Sequence, residues 1–111
     1  MENGSCIADD VDCYCVAKII IRERATVSQY AYLCTASHDY RTRDMYLVTD
    51  GITIGADAWI TSRTYIGPGV NVGNGAIVAA GAVVVKDVAD WTIVAGNPAK
   101  TVKMRPQLPA A

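Results

Sequence analysis

Residues 54–88 read IGADAW ITSRTY IGPGVN VGNGAI VAAGAV VVKDV, and written this way they repeat every six positions. Ile54, Ile60, Ile66, Val72, Val78 and Val84 open six successive hexads. Four places further on stand Ala58, Thr64, Val70, Ala76, Ala82 and Val88, all small or β-branched. Ile, Val and Leu make up 26 of the 111 residues, so six in a row at one phase arises by chance about 2 times in 10,000. Period six fits neither a helix at 3.6 nor one continuous alternating strand at 2. It fits a short strand, a corner, and another short strand, with one aliphatic side chain per hexad pointing inward. Gly55, Gly67 and Gly73, directly after inward residues, suit the passage from extended backbone into a turn. Three hexads complete one turn of a triangular parallel β-helix. Strands of an ordinary sandwich would need turns at a spacing of about 8–12 residues, which this stretch lacks.

Towards the N-terminus the same pattern continues with a slip. Residues 7–12 form a first hexad with Ile7 and Val11 inward, and Cys13 keeps the phase. Ile21, Val27 and Leu33 resume it two residues late, so a two-residue insertion belongs at the corner near Val16, Ala17 and Lys18. Ala25 and Ala31 take the small positions, and residues 1–6 read as a frayed start. Over residues 35–51 (TASHDYRTRDMYLVTDG) the repeat vanishes between two clean stretches, which predicts an extended loop thrown out from one corner. Long excursions from a regular scaffold usually carry function.

Beyond Val88 the pattern stops, and residues 91–111 read as a C-terminal cap and tail. Trp91, Ile93, Val94 and Val102 are expected to cover the open end, with 104–111 loose. A cap is needed because the last coil otherwise exposes unpaired backbone groups. The whole chain, residues 1–111, is then a single domain of about four coils, roughly 19 Å tall at the usual strand spacing. So short a prism buries little surface, and self-association is expected.

Composition narrows the function. Hydrophobic content of 51% against 19% charged residues describes a globular protein. No apolar run approaches the roughly 18–20 residues that span a membrane, and MENGSCIADD lacks the basic and apolar regions of a signal peptide. Cys6, Cys13, Cys15 and Cys34 without a secretion signal suggest reduced thiols in a cytoplasmic protein, as core or corner residues. With one histidine and no Cys-x-x-Cys pair, the zinc spacings are missing and no metal is expected. A net charge of −1 without a basic stripe argues against nucleic acid.

Three segments in this order carry a resemblance. They are Val27-Ser28-Gln29 through Leu33-Cys34-Thr35-Ala36-Ser37-His38-Asp39-Tyr40, then residues 81–88 (GAVVVKDV), then Ala95-Gly96-Asn97-Pro98-Ala99-Lys100. The chain resembles the hexapeptide-repeat acyltransferases, and within them the sugar O-acetyltransferases of the nodulation-factor, maltose, galactoside and colanic-acid type. The resemblance implies an all-β fold, a left-handed parallel β-helix, and a homotrimer with active sites between neighbouring subunits. It implies acetyl-CoA as acyl donor and a sugar or glycoconjugate hydroxyl as acceptor.

His38 opens the long loop. Transfer from a thioester to a hydroxyl needs a base that is neutral near pH 7 and still accepts a proton, and imidazole meets that need. The resemblance makes His38 the catalytic residue, with no covalent acyl-enzyme. By the same resemblance Trp59, Ser62, Ala79 and Ala80 line the cofactor groove, while Lys86, Lys100 and Lys103 face its phosphates. Val85 stands where relatives commonly carry threonine, which removes one hydroxyl contact. On the acceptor side Tyr14 occupies a position where some relatives have asparagine, and Met45 and Leu47 of the loop are expected against the acceptor. The competing expectation is a shortened, inactive trimeric scaffold or ligand-binding protein, since relatives usually carry further N-terminal residues. A metal enzyme on this fold would need three histidine ligands, and a nucleotidyltransferase a glycine-rich phosphate loop leading into a helix. Neither is present in the sequence.

Overall fold

A computed structural model of the chain describes residues 1–14, 16–106 and 108. The hexads fold as predicted, one short strand to each side of a triangle. The first coil carries β1 (Cys6–Ile7), β2 (Asp12–Tyr14) and β3 (Ile19–Ile21). The second carries β4 (Thr26–Val27), β5 (Tyr32–Cys34) and, after an antiparallel hairpin of β6 (Ala36–His38) and β7 (Leu47–Thr49), β8 (Ile52–Ile54). The third carries β9 (Trp59–Ile60), β10 (Tyr65–Ile66) and β11 (Asn71–Val72), and the fourth β12 (Ile77–Val78) and β13 (Val83–Val84). Val88 bridges in parallel to Val72 and closes the fourth coil. Then come β14 (Thr92–Ala95) and β15 (Lys100–Met104).

Stacking the coils makes three parallel sheets. Side A runs β1-β4-β9-β12-β14, side B runs β2-β5-β10-β13, and side C runs β3-β8-β11. The inward column is the one the hexad phase gives: Ile54, Ile60, Ile66 and Val78 are wholly buried, with Val72 and Val84 next to them in burial. The small positions, from Ala25 and Ala31 to Ala82, close the corners of the same core. The registers Cys13↔Leu33 and Ile21↔Ile54 show the two-residue slip taken up at the corner between β2 and β3. The next coil spends that same corner on the hairpin.

Five expectations are corrected. Gly55 and Gly73 are not needed for a turn conformation, because the positive φ falls two residues later, at Asp57 (60°) and Gly75 (69°). They are needed because the next coil passes too close. A Cβ on Gly55 would sit 2.6 Å from the backbone nitrogen of Asn74, and one on Gly73 would collide with Asp90. Gly67 is less crowded, with its nearest neighbour 3.4 Å away in the Tyr65 ring. The start of the chain is not frayed: the Glu2 amide donates to the Ile21 carbonyl at 2.9 Å and the Arg24 amide to Asn3 at 3.1 Å.

The cap uses other atoms than expected. Gly96 accepts from the Val83 amide, and the Ala99 amide donates to Val83, each at 2.9 Å, so this crossing segment satisfies the last strand of side B. β15 then pairs antiparallel with β14 and covers the edge of side A. Of the residues expected to cover the end, Val94 points inward and Ile93 is half-buried, whereas Val102 is exposed and Trp91 turns a corner. Nor is the tail loose at its start, since Met104 ends β15. Arg105 donates from its amide to the Trp91 carbonyl at 2.7 Å and from Nη1 to the carbonyls of Asp57 (2.9 Å) and Gly75 (3.0 Å). Among the cysteines Cys34 is buried, while Cys6 and Cys13 are exposed rather than core. Cys15 lies outside the described residues.

Candidate active site at the hairpin corner

The hairpin exists because the chain leaves the hexad phase after Leu33 and must return at Ile52 to continue side C. Antiparallel pairing of Ala36, Ser37 and His38 with Thr49, Val48 and Leu47 keeps the excursion rigid at its base. The Asp39 amide adds one more rung, donating to Tyr46 at 2.8 Å. At the tip the Asp39 carboxylate accepts the Arg41 amide at 3.0 Å, its Nε at 2.9 Å and its Nη2 at 3.1 Å. These bonds hold the Asp39 carboxyl below the usual carboxylate range.

His38 sits on this hairpin with an exposed ring, and its Nδ1 lies 2.9 Å from the Met45 carbonyl oxygen. Met45 adopts a positive φ of 47°, a costly conformation for a side chain of its size, at the residue whose carbonyl meets the histidine. A carbonyl only accepts, so Nδ1 carries the hydrogen and Nε2 of the neutral ring presents a lone pair. An open cleft of about 340 Å³ surrounds it, lined by Ser37, His38, Asp39, Tyr40, Arg41, Val48 and, from the coil above, Pro68. Pro68 was not singled out in the sequence. Its signal is the hexad count, which places residues 67–70 at the same corner as the loop.

The other predicted residues fall into two further groups. Val85, Lys86 and Lys100 line one cleft of about 390 Å³ at the end of the prism, together with Pro98, Ala99 and Thr101. Lys86 stands at the hairpin corner one coil above Pro68, and Lys100 reaches the cleft from β15. Neither lysine forms an ion pair among the described residues, so both charges are available to an anion. Val85 is 56% exposed, an apolar surface on the rim. Lys103 is exposed on β15 opposite Ile93, away from that cleft.

Trp59, Ser62, Ala79 and Ala80 gather on side A and its corner with side B. The Trp59 indole is 45% exposed, and its Nε1 donates to Ser28 Oγ at 2.8 Å. The Gly81 amide donates to the Ser62 carbonyl at 3.2 Å, which stacks Ser62 directly under the Ala79-Ala80-Gly81 turn. Side B separates this group from His38, so one chain does not unite the two. Of the acceptor-side residues, Leu47 is exposed opposite His38, and Met45 contributes its carbonyl. The Tyr14 backbone pairs with Cys34, and its side chain lies outside the described residues. No group of side chains among the described residues could hold a metal ion, and no helix among them is long and apolar enough to cross a membrane.

Comparisons with known proteins agree with the fold. No family model matches the chain. It is 33% identical over 99 residues to the Escherichia coli (strain K12) protein named as the colanic acid biosynthesis acetyltransferase WcaF, covering 89% of this chain and 54% of that protein. The chain thus spans about half the length of the curated relatives it matches. It superposes on a maltose O-acetyltransferase from Clostridium difficile 630 with a TM-score of 0.83 at 22% identity, covering 96% of this chain and 70% of that one. On the hexapeptide-repeat acetyltransferase VCA0836 from Vibrio cholerae O1 biovar eltor, solved with acetyl coenzyme A, the TM-score is 0.75 at 25% identity. That match covers 96% of this chain and 71% of that one.

Proposed function

We propose that this chain, a left-handed β-helix of the hexapeptide-repeat acyltransferase family, transfers an acetyl group from acetyl-CoA to a hydroxyl of a sugar or glycoconjugate in the cytoplasm. The observation that carries the reading is the His38 Nδ1 contact with the Met45 carbonyl, which leaves Nε2 free to take a proton.

Bound acetyl-CoA supplies an acyl group activated as a thioester. His38 Nε2 removes the acceptor hydroxyl proton as that oxygen attacks the acyl carbon, then returns the proton to the departing sulfur. The free charges of Lys86 and Lys100 suit the donor's phosphates as point charges at a solvated rim, and Lys103 extends the basic surface. Trp59, Ser62, Ala79 and Ala80 form a shallow corner where a thin pantetheine arm approaches backbone. Val85 offers that arm apolar contact in place of a hydroxyl. Tyr14, Met45 and Leu47 flank the acceptor. Because one chain holds the basic cleft and the small-residue corner on opposite edges of side B, the complete site combines two subunits of a homotrimer.

Coenzyme A binding by calorimetry and thiol release with maltose or a β-galactoside as acceptor test the reading. Lys86→Ala and Lys100→Ala should each raise KM for acetyl-CoA about 5- to 50-fold, the effect of losing a charge-assisted contact, with little change in kcat. A wild-type chain that does not bind coenzyme A would overturn the proposal. Binding without turnover would leave the non-catalytic scaffold.

A further inference from the structure

We infer that Tyr40 is the platform on which the acceptor's sugar ring lies, an inference that rests on the acetyltransferase reading and names the residue that selects its substrate class. Tyr40 is 85% exposed, more than any other large apolar side chain among the described residues. Its ring takes part in no hydrogen bond or ring contact among them. It shares its cleft with His38, Ser37, Val48 and Pro68.

An aromatic ring in water forgoes burial worth about 2 kcal/mol, and its place in the cleft of His38 lets a ligand seated there recover it. Here the exposure is built in. Tyr40 sits between Asp39, whose carboxylate holds three Arg41 N–H groups, and Thr42, whose amide and hydroxyl both donate to the Asp39 carbonyl at 3.3 and 3.1 Å. The turn is locked while the ring projects from it.

The surroundings give the ligand's chemistry. An apolar aromatic face stands beside the Ser37 hydroxyl, the Asp39 carboxylate and the Arg41 guanidinium, whose Nη1 is not used in the Asp39 pair. A pyranose has the matching anatomy, an apolar face of C–H groups and an edge of hydroxyls. A ring lying on Tyr40 brings one of those hydroxyls into the cleft of His38, the only imidazole in the chain.

The test uses the full chain with maltose and a β-galactoside as probes. Sugar contact is read by saturation-transfer NMR, coenzyme A binding by calorimetry and mass by light scattering. Wild type should saturate the ring protons of at least one sugar. Tyr40→Ala should abolish that transfer and raise KM for the sugar tenfold or more, while Tyr40→Phe and Tyr40→Trp keep both near wild type. KM for acetyl-CoA should not move, which a merely structural role of the turn would not guarantee. Wild type without sugar contact, or Tyr40→Ala that retains it, overturns the inference even when coenzyme A binds normally. A change of mass in Tyr40→Ala also overturns it, by assigning the ring to a contact between subunits. Failure to bind coenzyme A would instead strike the acetyltransferase reading beneath it.

Discussion

Three residues after each inward side chain the backbone enters the left-handed region, at Asp57 (60°), Arg63 (59°), Gly69 (77°), Gly75 (69°) and Gly81 (76°) in succession. Glycine holds this place without strain, and the residues that replace it carry a cost of about 1–2 kcal/mol that the stacked coils must absorb. Two glycines at this phase separate strain from crowding. Gly81 has nothing within 4 Å of where a Cβ would stand, whereas a Cβ on Gly75 would enter the Trp91 ring. Gly81→Ala should therefore lower stability by about 1–2 kcal/mol, the conformational cost alone. Gly75→Ala should lose about 2–5 kcal/mol, because overpacking is added to it. Denaturant unfolding of both variants checks the order, and an equal loss would mean that Trp91 moves aside freely. The inward column was legible in the sequence, since Ile60 or Val78 declares itself by type and spacing. This turn phase was not. Asp57, Arg63 and Trp91 look like ordinary surface residues, and only the coil geometry shows what their backbones do.

Among the elements, β15 covers the edge of side A by backbone pairing rather than with the Val102 side chain, and Arg105 after it anchors the cap. Arg105 gathers the carbonyls of Asp57, Gly75 and Trp91, which are the positive-φ residues of one corner in three successive coils. Its guanidinium also lies 5.7 Å from the centre of the Trp91 ring. The side chain fastens the cap to the column of turns. Arg105→Ala should cost about 1–3 kcal/mol, as expected when a charged donor leaves two carbonyls, and should expose β15 to protease before the coils. Proteolysis and thermal unfolding report both, and a variant as stable and resistant as wild type would remove Arg105 from the cap. No pattern in the sequence reveals this clamp, because its partners are backbone atoms 48 and 30 residues away that only the stacking assembles. The hairpin was half legible. A break in the repeat over 35–51 announced an excursion and His38 marked its chemistry, but the β6–β7 pairing and the use of Met45 through its carbonyl needed coordinates.

For the molecule as a whole, the predicted site residues fall on two edges of the three-sided plan, the two that flank side B. His38 and Lys86 stand on one edge of side B, and Ser62, Ala79 and Ala80 on the other. Side B itself presents Tyr32 and Tyr65, whose rings tilt together with centroids 5.8 Å apart, with Val83 of the last coil above them. In the proposed trimer one subunit's first edge would meet another's second, and the same contact made three times over would complete each site, as closed symmetry requires. Light scattering should give three times the chain mass at micromolar concentration. A monomer mass would contradict this assembly while leaving the fold intact.

If the rigid hairpin on the β-helix presents His38 Nε2 as the base for acyl transfer, the turnover of His38→Ala reports its loss. kcat should fall by about 100- to 10,000-fold, the range for loss of a general base. Coenzyme A affinity and unfolding midpoint should stay near wild type, because the proposed phosphate contacts and the inward column lie elsewhere. A folded His38→Ala variant that turns over at the wild-type rate would contradict that role.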